Sequence, residues 1–380
     1  MNFEFSDEQR QLHDAVERYL GDQYGFDRYQ SIKGSAAGWD PSIWRGLAEL
    51  GVLAITVPTA QGGLGFGPLE TLAMMGDCGR SLLLEPLLSS AVIATAVLRA
   101  FAGEPAAAEM LTAMAAGEKI AALAHFESGA GFDSRWVTTR ARRSAEGYRL
   151  EGHKAVVMHA AAADSLLVSA RTSGEAGDAD GVSLFLVPRA SPGLVLDAYP
   201  TLDGQRAADV YLEGVELPAG SRLGAEGAAL APIEAALDIG LAALCAEAVG
   251  IMQALVDATV EYVRTRQQFG QPIGRFQALQ HRIADMVIHL EQARSMSYLA
   301  ALRCTGENAV ERRRALSAAK VVIGQAGRFV GQQAVQLHGG MGMTDELKVS
   351  HWFKRLTAAQ LMFGDSDLHL QRFAALSNGR

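Results

Sequence analysis

The stretch Arg264-Thr265-Arg266-Gln267-Gln268-Phe269-Gly270-Gln271-Pro272-Ile273-Gly274-Arg275-Phe276-Gln277 joins two long segments that carry the period of a helix. Before it, Leu241, Leu244, Ala248, Met252 and Leu255 recur at three- and four-residue steps; after it, Phe276, Leu279, Ile283, Met286 and Leu290 do the same. The spacing predicts an αα-hairpin. Gly270 stands where a left-handed residue would close the first helix, and Pro272 bars its resumption. A solvated turn explains that much. It does not explain Arg264, Arg266, three glutamines and an aromatic crowded into one tip. Forked guanidinium groups near a helix end suit a diphosphate.

Working outward, 380 residues are enough for two or three domains, each with its own core. Hydrophobic residues at 49% and charged residues at 20% describe an ordinary globular chain. A net charge of -8 argues against a nucleic-acid binder, which needs a basic face. The first twenty residues are acidic and broken by polar side chains, so no signal peptide is expected there. No uncharged apolar run approaches the ~20 residues of a membrane helix. Cys78, Cys245 and Cys304 have no metal-ligand spacing, so no metal is expected, and a reducing cytoplasm fits.

In chain order, Ser6-Asp7-Glu8-Gln9 reads as a capping box opening a first helix, and Asp40-Pro41 starts another. Gln61 to Gly67 is glycine-rich but lacks the Gly-Lys-Ser/Thr ending of a phosphate loop, so it reads as a turn. Ala/Leu-rich helices fill 68 to 118. From Ile120 the period changes. Segments 120–126, 166–170, 182–187 and 209–212 have strand length and composition, punctuated by turn residues. Residues 119 to 224 therefore read as a small antiparallel β-domain. Gly174 to Gly181 reads as an acidic surface loop. From Ala225 the chain is helical again, with lengths typical of a bundle. Its last interruption, Gln336-Leu337-His338-Gly339-Gly340-Met341-Gly342, places three glycines where each costs helix stability by roughly 1 kcal/mol relative to Ala. A plain helix–helix turn is one reading; close approach of a ligand to the backbone is the other.

R-x-x-F-G-x-x-(I/L)-x-x-(F/H)-Q, spelled by Arg266 to Gln277 and followed by Ala284-Asp285-Met286, resembles the acyl-CoA dehydrogenase family. The likeness runs over nearly the whole chain, and Pro58 to Gly65 matches the family's P-x-x-x-G-G-x-G. It implies a mainly α fold in three domains: N-terminal helices 1–118, an antiparallel β-barrel or sandwich 119–224, and a C-terminal four-helix bundle 225–380. It implies FAD, bound across a subunit interface. By resemblance Arg266 reaches a neighbour's FAD diphosphate with Phe269 beside it, and Gln277 approaches the adenosine. Gln336, Gly339 and Gly340 lie against the diphosphate.

The family removes an α-proton from an acyl-CoA and moves the β-hydrogen to the flavin. A thioester α-C–H is a weak acid, so a carboxylate must stand near it and hydrogen bonds must hold the developing enolate. The usual Y-E-G-T becomes Phe363-Gly364-Asp365-Ser366, with Gly364 at the glutamate. The alternative base position falls on Gly240, and the arginine that often follows is Leu241. Asp365 is the substitute base, with an N-cap of the last helix (Leu368 to Leu376) as its other reading. Glu247 is a second candidate, about 10 Å along the helix from Gly240. The backbone N–H of Gly364 remains as an oxyanion donor. In the β-domain T-E-P-G-A-G-S-D becomes Phe126 to Asp133, so Phe126 replaces a flavin-side threonine and Phe132 a CoA-facing serine. W-(I/V)-T becomes Val156-Val157-Met158. Val157, Met158 and Ser366 then fall at flavin positions, and Asp238 joins Phe132 at substrate positions. His338, His351 and His369 read as packing residues.

Phe363 to Leu370 and Cys245 to Gly250 look like the small subunits of pimeloyl-CoA dehydrogenases and related paired bacterial enzymes. The expectation is thus an FAD-dependent acyl-CoA dehydrogenase of fatty acid metabolism, cytoplasmic, passing electrons to an electron-transfer flavoprotein. It works as a homo-oligomer or as a heterotetramer with a second such subunit. The alternatives are a flavin oxidase or monooxygenase on the same fold, and a degenerate FAD-binding partner subunit.

Overall fold

The computed structural model describes residues 7–378, with side chains from Arg10 onward. Ser6, and with it the expected capping box, lies outside that range. The chain folds as two compact units that do not follow the chain order. The first takes the described residues up to Gln30, Pro68–Leu83 and everything from Leu241; the second takes Ser31–Gly67 and Leu84–Gly240.

The helices before the sheet are α1 (Asp7–Gln23), α2 (Phe26–Gly34), α3 (Pro41–Glu49), α4 (Pro68–Ser81), α5 (Thr95–Arg99) and α6 (Pro105–Ala115), with a wide π-type turn at Leu87–Ala94. Helix α3 starts as its sequence dictates: Asp40 accepts from the Ser42 N–H at 2.8 Å and Pro41 occupies the first turn. The glycine-rich loop is a turn: Gly62 has φ 80°, and a Cβ on Gly63 would lie 2.0 Å from the Val57 carbonyl.

In the second unit eight strands form one sheet: β1 (Ala121–Ala124), β2 (Arg140–Arg143), β3 (Gly147–Met158), β4 (Ser165–Arg171), β5 (Val182–Pro188), β6 (Leu194–Pro200), β7 (Arg206–Pro218) and β8 (Arg222–Leu223). Their order is β6-β7-β3-β2-β4-β5-β8, with β1 on β4. The pairing is mainly antiparallel, as the sequence suggested, but β1 runs parallel to β4 with Ala121 opposite Ser165. The chain returns to β4 only after the β2–β3 hairpin, a connection long enough for a parallel partner. The core lies where the β4–β5 pair meets α5 and α6: Leu167, Leu184, Val97, Leu98 and Leu111 have no exposed surface. The acidic loop 174–181 is more ordered than its composition implies. Arg171, 1% exposed, threads its guanidinium beneath it and donates to the carbonyls of Val137, Asp180, Arg135 and Asp178.

The sheet is followed by α7 (Leu230–Thr265), two short strands β9 (Gln267–Gln268) and β10 (Gln271–Pro272), then α8 (Gln277–Arg303), α9 (Ala309–His338), α10 (Lys348–Leu361) and α11 (Ser366–Ser377). By length and composition α7 could cross a membrane, but 78% of the qualifying stretch is buried inside the protein. In the first unit α4 and α7 approach closely because glycines meet: a Cβ on Gly250 would lie 1.9 Å from the Gly76 carbonyl, and one on Gly79 2.3 Å from that of Glu247. The apolar stripe read on α7 is buried throughout, from Leu241 at 3% to Leu255 at 0%. On α8 the stripe is half-buried at Leu279 and Ile283 and closes over only from Met286.

Candidate functional site

The hairpin tip departs from the expected helix cap. Helix α7 ends at Thr265, and β9 and β10 pair Gln268 with Gln271 around the two residues Phe269 and Gly270. Both have positive φ, 54° and 77°, as a two-residue hairpin turn demands. Gly270 therefore serves the hairpin, not the helix end. The physical reason is that Gln267–Pro272 can satisfy its own backbone as a ribbon, with Ile273 N–H closing on the Arg266 carbonyl at 2.9 Å. Phe269 is left 88% exposed, held by an edge contact with Phe276 at 5.9 Å. Arg266 and Gln277 are exposed on the same tip.

Helix α9 stops at Gly339, whose φ 62° and ψ -143° suit glycine alone. Gly342 is fixed by packing, since its Cβ would meet the Val335 carbonyl at 2.8 Å. Gly340 is different. It has no positive φ, it is exposed, and a Cβ there meets nothing within 4 Å. Nothing in the fold requires a glycine there. Gln336 is exposed one turn earlier. The Tyr262 ring stacks on His338 at 4.5 Å, which brings the Arg266 end of α7 beside the Gly339–Gly340 turn. Two motifs sixty residues apart thus share one corner of the molecule, with a guanidinium and an open backbone suited to a diphosphate. FAD fits that donor set, and in this chain Arg266, Gln277 and the Gly339–Gly340 backbone would hold it.

The Phe363–Ser366 turn is partly enclosed: Gly364 is buried, Phe363 and Ser366 are half-buried, and Asp365 is exposed. Phe363 has φ 59° and Gly364 φ 102°. A Cβ on Gly364 would meet Leu368 Cδ2 at 2.4 Å, and its N–H donates to the Leu361 carbonyl at 3.3 Å. Asp365 caps α11, accepting from the Leu368 N–H at 2.9 Å. Ser366 has its hydroxyl buried against Gly324 with no hydrogen-bond partner, so the oxygen expected at the flavin points into the bundle. Glu247 is removed as a base: Arg355 grips it bidentately at 2.6 and 2.7 Å, and both are buried. The three histidines pack. His338 donates from Nδ1 to the Ala334 carbonyl of its own helix at 2.8 Å, His351 lies 3.3 Å from the Tyr29 hydroxyl, and His369 is fully enclosed.

In the second unit Glu127 organises the loop that carries Phe126 and Phe132. Its carboxylate accepts from the Thr138 and Thr139 N–H groups at 2.7 and 3.0 Å and from Lys154 Nζ at 2.6 Å. Burial works to raise the Glu127 carboxyl, but Lys154 and these donors outweigh it and hold it at about 2. Burial lowers Lys154 to about 8 against the pull of Glu127, and burial with the Lys154 charge brings His125 to about 3. Phe126 meets Phe132 edge-on at 5.8 Å, and Phe132 is 41% exposed at φ 68°. A bulge in β3 lies between Lys154 and Val157 and puts Val156 at φ 53°, 57% exposed, its N–H held by Asp209 at 3.0 Å. Val157 is buried, 3% exposed, and pairs with Ala208 in the sheet, and Met158 is half-buried. Asp238 is buried, 7% exposed, on α7. Among the described residues six non-glycines have positive φ, and four of them, Phe132, Val156, Phe269 and Phe363, stand in stretches singled out from the sequence. Strained backbone concentrates at functional positions. None of this strain was legible in the residue types.

Sequence models for the acyl-CoA dehydrogenase N-terminal, middle and C-terminal domains match residues 6–118, 122–215 and 230–376. The chain is 33% identical over 335 residues to the L-prolyl peptidyl-carrier-protein dehydrogenase of Pseudomonas fluorescens, covering 86% of this chain and 87% of that protein. It is 29% identical over 328 residues to the human (Homo sapiens) mitochondrial short-chain specific acyl-CoA dehydrogenase, covering 85% and 79%. The crystal structure of the ChsE4-ChsE5 complex from Mycobacterium tuberculosis superposes with a TM-score of 0.88 at 26% identity over 100% of both chains. The chain belongs to the acyl-CoA dehydrogenase family, FAD-dependent oxidoreductases that act on CH–CH groups.

Proposed function

We propose that this chain is one subunit of a heteromeric acyl-CoA dehydrogenase, in which it helps bind FAD while a companion chain supplies the base. The observation that carries this reading is the Phe363–Ser366 turn. Position 364 is a glycine at φ 102°, a backbone that strains any L side chain, so it carries no carboxylate, and the neighbouring Asp365 is spent on a cap. A thioester α-proton then has no carboxylate to receive it from that turn. FAD, when bound, accepts the β-hydrogen as hydride. The residues here that serve it are Arg266, Gln277, Gly339 and Gly340, which suit a flavin reaching in from a neighbouring subunit. Phe269, 88% exposed on its tip, supports an oligomer, and the neighbour solved as a ChsE4-ChsE5 complex supports a heteromer. An electron-transfer flavoprotein is the proposed acceptor, and the cytoplasm the proposed location.

The test is anaerobic reduction of flavin by a series of acyl-CoA thioesters, with this chain alone and co-purified with its companion from the native host. The reading expects bleaching only for the pair. Bleaching by the lone chain that Asp365→Asn slows by about 10²–10⁴-fold would instead make Asp365 the base and end the proposal.

A further inference from the structure

Lys320, on α9, is 3% exposed, yet among the described residues its ammonium has no carboxylate partner. Buried lysines are rare unless paired. Its Nζ donates instead to two main-chain carbonyls, those of Ala359 and of Met362, the latter at 2.8 Å. These belong to the end of α10, where carbonyls lack helical partners and the helix dipole favours a cation. From the opposite side His369 holds the next carbonyl, Phe363 O, at 3.0 Å, while its other nitrogen meets the Ser317 hydroxyl at 3.1 Å. Burial brings His369 down to about 4, so the ring is neutral and donates through Nε2. Carbonyls 359, 362 and 363 thus end on two enclosed basic side chains. They lead directly into two successive left-handed residues, Phe363 and Gly364, a backbone that L side chains resist.

We propose that Lys320 is a positioning residue for the Phe363–Ser366 turn, fixing its backbone from behind; the inference rests on the dehydrogenase reading above. The ammonium substitutes for the missing next turn of α10, so the chain can reverse into a left-handed pair without the helix end fraying. A void of about 20 Å³ beside it, lined by Cys245, Gly324, Gly327 and Gln360, offers no counter-charge.

The geometry makes the turn sensitive to the charge on Lys320. Burial lowers that group to about 8. The groups facing it are Cys245 from α7, Arg355 from α10, and Asp365 and His369 from α11. Burial pushes the Cys245 thiol up to about 11, His369 is neutral above about 4, and Arg355 is committed to Glu247. As pH rises through about 8 the ammonium is lost and its grip on the two carbonyls weakens.

The experiment measures hydrogen-exchange protection of the amides from Met362 to His369 in the FAD-loaded protein at about pH 7 and about pH 9.5. Wild type, Lys320→Met and Lys320→Arg are compared. Wild-type protection factors should fall by about tenfold between the two pH values, the Met variant should be low at both, and the Arg variant high at both. A Met variant as protected as wild type, or wild-type protection indifferent to pH, overturns the proposal. If the Met variant does not fold, the wild-type pH arm and the Arg variant decide alone. A second readout titrates a non-oxidisable thioether analogue of an acyl-CoA against flavin absorbance. Weakening by about tenfold in the Met variant at unchanged FAD content supports positioning. A wild-type chain paired with its companion that ignores the analogue defeats the dehydrogenase reading, while the exchange arms still decide Lys320.

Discussion

Two glycine turns in the helical unit look alike in the sequence and differ in what they are for. Gly340 stands in open space, its absent side chain meeting nothing within 4 Å. Gly364 is enclosed, with φ 102° and Leu368 at 2.4 Å from any Cβ. One glycine is left unconstrained by the chain; the other is constrained by the chain itself. The same division runs through the other candidate residues. Arg266, Gln277 and Phe269 are turned outward, whereas Asp365, Ser366, Glu247 and the Glu127–Lys154 pair are satisfied or buried within.

The largest expected effect lies with the inward set. Glu127→Gln leaves the Lys154 charge buried without a carboxylate, at a cost of about 3–5 kcal/mol by the precedent of broken buried pairs. A chemical denaturation midpoint close to wild type would show that Lys154 had simply neutralised. In the wild type the sign with pH follows from the lowered carboxyl. Stability from Glu127 is complete above its unfolded pKa of 4.5 and is lost as pH falls from there towards about 2. Urea midpoints measured down through that window should drop, and Glu127→Gln should flatten the drop.

Next comes Gly364→Glu, which puts a side chain at a left-handed position and against Leu368. Strain and overpacking together predict a loss of about 2–4 kcal/mol. A stable Glu variant that gains flavin bleaching with acyl-CoA would break the comparison outright, because it would turn an inward glycine into a vacant base position. Arg266→Ala should leave stability nearly unchanged but weaken FAD binding by about 1.5–3 kcal/mol, the worth of a charge-assisted bond. Purification as fully yellow protein, with no faster FAD loss on dialysis, would count against it. Gly340→Ala sharpens the contrast most: folding stability should stay within about 0.5 kcal/mol of wild type, while flavin retention falls. The smallest effect belongs to Asp365→Asn, where asparagine still caps and the helix should lose no more than a few tenths of a kcal/mol.

The amino-acid sequence determined a good deal. The α7–α8 hairpin, the strand segments, the helix start at Asp40-Pro41 and the family motif were all legible, because each depends on periodicity, caps and turn residues close together in the chain. So was the loss of a carboxylate at 364, which is a matter of spelling. The tertiary structure decided the rest. The sequence marks Gly270 as a helix terminator, but only the β9–β10 ribbon makes it half of a hairpin turn beside an exposed phenylalanine. It offers Glu247 and Asp365 as bases, and only the partners, Arg355 and the Leu368 N–H, show both to be in use. It offers Lys320 as one more helix lysine, and only burial against the end of α10 sets it apart. The reason is physical: backbone preference acts over a few residues, whereas a side chain's protonation, partners and exposure depend on groups a hundred residues away that meet it only once the chain has folded.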